Sequence, residues 1–111
     1  LKRLSLIALL ATIVFMFGMA GSPAQAANAV NGEKLFNANC AACHMGGNNV
    51  ILANKTLKKE ALEKYGMASL DAIKHQVIKG KNAMPAFSGR LDAEQIEDVA
   101  NYVLEQSEKG W

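Results

Sequence analysis

The chain has 111 residues, half of them hydrophobic and 20% charged, which leaves room for one domain at most. Its formal net charge of +2 comes from Lys2 and Arg3, because all ten acidic residues lie at or beyond Glu33. Residues 27–111 carry ten basic and ten acidic side chains and are formally neutral, so the charge balance excludes a nucleic-acid role.

Lys2 and Arg3 precede an uncharged apolar run, Leu4 to Ala20, and then the small residues Gly21-Ser22-Pro23-Ala24-Gln25-Ala26. This order reads as an export signal, cleaved after Ala26, with Ala27-Asn28-Ala29 as a second candidate site. The rival reading is a membrane anchor, since the 17-residue run sits at the lower edge of the roughly 17–25 residues needed to span a bilayer. Pro23 and the A-x-A site follow at once and favour cleavage, so no stable membrane insertion is expected afterwards. The domain is then residues 27–111. A chain of that size buries only about 60–65% of the surface it exposes when unfolded. It needs an addition to its core, and a Cys40–Cys43 disulfide would close too small a loop to supply one.

The periodicity predicts an all-α fold. A first helix runs from about Asn31 into the cysteines, with Phe36, Cys40 and Cys43 at offsets 0, 4 and 7. A second fits Leu57 to Tyr65, closed by Gly66, and a third Ser69 to Ile78, with Ser69 as cap and Gly80 to end it. The last is the clearest: Ile96, Val99, Ala100, Val103 and Leu104 form one apolar stripe, and Asp92 with Gln95 can make a capping box, with Leu91 packing on Ile96. Gly46 to Asn49 and Gly80 to Gly89 read as loops, and no segment alternates with period two. Charge is unevenly placed, with +2 over residues 55–64, +3 over 65–91 and −5 over 92–111.

Cys40-Ala41-Ala42-Cys43-His44 is C-x-x-C-H, the attachment sequence of a c-type haem. Cysteines at i and i+3 on one helical turn can reach the two vinyl groups of a porphyrin as thioethers, and His44 can then offer its imidazole to the iron. A thioredoxin-like pair would need a βαβ pattern, which is not visible. Structural zinc would need four ligands, and the chain offers only Cys40, Cys43, His44 and His75. The second axial ligand must come from His75, Met45, Met67 or Met84. Met45 adjoins His44 and cannot reach the opposite face, His75 is expected to be exposed, and Met67 reads as a core filler. Met84 precedes Pro85, which restricts it to an extended backbone in a stiff loop and makes it the better ligand. His/Met coordination leaves no vacant position, so a one-electron carrier is expected rather than an enzyme. A haem sensor or peroxidase-like enzyme with a labile sixth ligand is the competing class.

In these residues the chain resembles the class I monohaem cytochromes c, and within them the photosynthetic carriers of cyanobacteria and algal plastids. The resemblance spans residues 31–36, Cys40 to Val50, Gly80 to Phe87, Asp98 to Val103 and Ser107 to Trp111, and the K-N-A-M-P-A-F and S-E-K-G-W stretches are the restrictive parts. It implies about four helices around one covalently bound haem c, with the first and last helices crossing at Gly32 and Phe36 packing near Tyr102. It also implies that Gln76 lies near the haem and favours a high potential, and that Arg90 belongs to a docking face for photosystem I. The expected role is a soluble carrier in the thylakoid lumen, taking electrons from cytochrome f of the cytochrome b6f complex and passing them to photosystem I. Donation to a respiratory terminal oxidase is the alternative.

Overall fold

The computed structural model describes residues 27–111, and the expected export signal lies outside the described residues. Among the described residues five helices follow in order: α1 (Ala29–Asn39), α2 (Ala41–His44), α3 (Lys59–Lys64), α4 (Leu70–Lys79) and α5 (Ala93–Lys109), with a 3-10 turn at Met45–Gly47. There are no strands among the described residues, only an isolated bridge between Lys81 and Met84. The all-α expectation holds, with α2 a single extra turn beside four longer helices.

α1 begins two residues before the expected Asn31. The Asn28 side chain accepts the N–H of Asn31 and caps the helix. Asp98 of α5, only 5% exposed, supports this start with both carboxylate oxygens: the Asn28 N–H donates to Oδ1 at 2.9 Å and the Asn31 side-chain amide to Oδ2 at 2.8 Å. A buried carboxylate is tolerated here because each oxygen has a donor. The expected continuous helix through the cysteines is interrupted at Cys40, whose φ of −120° departs from helical values before α2 resumes.

α1 crosses α5 at Gly32, where a Cβ would fall 2.4 Å from the Asp98 carbonyl oxygen and 2.8 Å from the Tyr102 Cβ. Only glycine lets the two backbones approach this closely. Phe36 on α1 then meets Tyr102 on α5 with ring centroids 5.4 Å apart, as the resemblance implied. The core is one cluster: Phe36, Leu62, Ile73, Val77, Phe87, Ile96, Val99, Ala100 and Val103. α4 and α5 supply most of it from apolar stripes at helical spacing, so burial fixes how each helix rotates about its axis.

The helix ends follow local chemistry. α5 starts with the expected capping box, Asp92 and Gln95 each bonding the other's backbone N–H. Ser69 caps α4 through Ala72. α3 closes in a Schellman arrangement, with Gly66 N–H on the Glu63 carbonyl and Met67 N–H on that of Leu62. It starts two residues later than the expected Leu57. Leu57 is held in the preceding loop instead, its N–H donating to the Gly47 carbonyl at 2.7 Å.

Candidate haem site

Cys40, Cys43 and His44 sit at the α1–α2 junction. Cys43 and His44 N–H groups both donate to the Cys40 carbonyl, at 3.2 and 2.9 Å, which puts the two cysteines and the histidine on one turn. Both cysteines are half-buried, and they form no disulfide with each other. Burial, with a smaller contribution from Cys43, pushes the Cys40 thiol up to about 11. A redox-exchanging C-x-x-C pair needs the opposite, a thiolate stabilised near neutrality. His44 Nδ1 lies 2.9 Å from the Asn48 carbonyl oxygen. Since a carbonyl can only accept, Nδ1 carries the proton and the Nε2 lone pair is left for a metal. The loop turns back on itself beyond Asn48, as Val50 N–H donates to the Cys43 carbonyl at 3.1 Å.

Met84, the second expected ligand, is presented by the loop after α4. Gly80 ends α4 with φ +69°, and a Cβ there would lie 2.7 Å from the Met84 carbonyl oxygen and the Ala86 nitrogen. Lys81 and Met84 exchange backbone hydrogen bonds at 3.0 and 2.9 Å around Asn82, whose φ of +52° falls in the left-handed region. Phe87 N–H donates to the Val77 carbonyl at 2.9 Å and ties the loop back to α4. Within this frame the Gln76 side-chain amide donates to the Met84 sulfur at 3.4 Å. Of the other axial candidates, His75 is exposed, Met45 is 71% exposed and Met67 packs against the core. Arg90 is exposed at the far end of the same loop, its guanidinium 5.5 Å over the Phe87 ring.

The donor set is two thiols, one oriented imidazole and one thioether, which matches the needs of haem c. Large apolar side chains at Val50, Ile51 and Leu52, on the loop bonded back to Cys43, stand exposed and suit a flat apolar group beside that turn. Zinc fits poorly, because among the described residues no three His, Cys, Asp or Glu side chains cluster as a metal site. The Asn48 contact is made by a backbone carbonyl and Trp111 meets Leu57 across 54 positions, so neither contact is legible in local sequence.

A family model described as cytochrome C oxidase, cbb3-type, subunit III matches residues 27–103. The cytochrome c6 of a Synechococcus strain is 63% identical over 100 residues, covering 90% of this chain and 89% of the relative. The chain belongs to the cytochrome c6 family. Cytochrome c6 of Gloeothece citriformis is 59% identical over the full length of both chains. The crystallised cytochrome c6 of the diatom Phaeodactylum tricornutum superposes with a TM-score of 0.74 at 57% identity, covering 76% of this chain and 99% of that one. Like other members of the cytochrome c6 family, the chain is an electron-carrier cytochrome with one covalently attached haem c, and not an enzyme. No helix among the described residues is long and apolar enough to cross a membrane.

Proposed function

We propose that the chain is a soluble carrier of the thylakoid lumen that accepts electrons from cytochrome f of the cytochrome b6f complex and delivers them to photosystem I. In this reading Cys40 and Cys43 would hold the haem through thioethers, and His44 and Met84 would ligate its iron. When bound, the haem supplies reversible one-electron exchange with no coordination position left for substrate. The observation that carries the reading is the Gln76 amide held on the Met84 sulfur. A donor at that sulfur draws electron density away from the ligand and favours the reduced state, giving the high potential that a carrier downstream of cytochrome f requires.

The export step belongs to the same proposal, with cleavage after Ala26. A cut after Ala29 would remove Asn28, which caps α1 and supplies one of the two donors on buried Asp98. N-terminal sequencing of the mature protein tests this.

Charge supports a transient, oriented encounter. Basic residues dominate positions 55–91 and acidic ones α5, with Lys59 and Lys74 paired to Glu108 and Glu97 across them, and Arg90 borders the Met84 loop. Such asymmetry sets on-rate and orientation more than affinity, which suits rapid release. Purified holoprotein is expected to re-reduce photo-oxidised photosystem I at a rate rising with its concentration. Arg90→Glu should lower that second-order rate by roughly tenfold. No re-reduction at micromolar concentration would overturn the reading, and fast oxidation by a terminal oxidase alone would favour the respiratory alternative.

A further inference from the structure

We infer that Trp111 is a positioning residue for His44, acting through the loop between α2 and α3. The inference rests on the reading of His44 as an axial ligand. The indole is fixed by helices that carry no axial ligand: its ring lies 5.1 Å from that of Phe36 on α1 and 6.0 Å, edge-on, from that of Tyr102 on α5. From this seat Nε1–H donates to the Leu57 carbonyl at 2.9 Å, a contact spanning 54 positions. Leu57 in turn gives its N–H to the Gly47 carbonyl at 2.7 Å. The next residue, Asn48, supplies the carbonyl that accepts from His44 Nδ1 at 2.9 Å.

Packing reinforces the same path. Gly47 is buried at φ +78°, and a Cβ there would lie 2.4 Å from the Trp111 ring. Indole and glycine are therefore matched surfaces, and the loop backbone rests against the ring. A loop running from Met45 to Lys58 without such an anchor would sample many conformations, and the Asn48 carbonyl would move with it. The carbonyl sets how strongly Nδ1–H is polarised, and hence how much electron density the imidazole gives through Nε2. Losing the indole N–H should weaken that bond, make His44 a poorer donor and shift the equilibrium toward the reduced protein.

The test uses full-length holoprotein with Trp111→Phe, and separately with 3-benzothienylalanine at position 111, which keeps the two-ring shape but has no N–H. Two readouts are taken: solvent exchange of the His44 Nδ1–H proton by NMR in the ferrous protein, and the reduced-to-oxidised ratio at a fixed ambient potential. Faster exchange and a ratio raised by about threefold are expected in both variants. Val103→Ala, which loosens the same core off the path, should leave both readouts unchanged. Unmoved readouts in the two position-111 variants, or an equal response in Val103→Ala, would overturn the role of Trp111. A wild-type ferrous spectrum without histidine and methionine ligand signals would instead remove the axial assignment beneath it.

Discussion

The loop that follows His44 and the loop that carries Met84 hold their backbones by different means. Around Met84 the restraints are local: Gly80, the Lys81–Met84 bridge, Asn82, Pro85 and the Phe87 anchor all fall within eight residues of one another. Even the contact to the sulfur comes from Gln76, eight positions upstream on α4. The loop after His44 is held from afar, by Trp111 on Leu57, and inside itself by Asn49, whose side chain accepts the Ile51 and Leu52 N–H groups. A ligand set by local geometry survives loosening elsewhere in the fold. A ligand that depends on a distant side chain responds to whatever holds that side chain, here the seat of Trp111 against Phe36 and Tyr102, and the two sides should respond differently to substitution.

The largest effect should come from the proximal side. Cys43→Ala removes one thioether from a domain too small to hold together well without its cofactor, and the yield of holoprotein should collapse, as measured by haem absorbance per mole of chain. Met84→Ala comes next. It should leave attachment intact but open the sixth position, so that the ferrous protein binds carbon monoxide and its potential falls by on the order of a tenth of a volt or more. Gly80→Ala acts one step back from the ligand, through left-handed backbone and a Cβ 2.7 Å from the Met84 carbonyl oxygen. Thermal unfolding should show a loss of about 1–3 kcal/mol, with weakened sulfur-to-iron absorption. Gln76→Leu is the mildest, removing one hydrogen bond worth about 0.5–1.5 kcal/mol and lowering the potential by roughly 20–60 mV in a redox titration.

The same division explains what could be read in the sequence. The start of α5 was fully legible, since Asp92 and Gln95 cap each other within four residues, and so was the loop that carries Met84, bounded by Gly80 and stiffened by Pro85. The C-x-x-C-H turn declares its own chemistry. Two helix starts differ from expectation because a partner remote in sequence decides them. Asp98, 70 positions away, draws the start of α1 back to Asn28. Leu57 is kept out of α3 by Gly47 and Trp111. Gln76 has no local mark that separates it from any polar helix residue, and the resemblance to class I cytochromes was needed to single it out. Its contact with Met84 becomes visible only once the loop folds back over α4.

The most direct test of the account is the visible spectrum of the mature holoprotein in both oxidation states, recorded through a redox titration and repeated under carbon monoxide. The account predicts a sharp low-spin α band on reduction, weak sulfur-to-iron absorption at the red edge of the ferric spectrum, a high positive midpoint potential and no carbon monoxide complex. Ready binding of carbon monoxide, with a low potential and no sulfur-to-iron absorption, would contradict His44 and Met84 as the ligand pair and with it the role as a closed one-electron carrier.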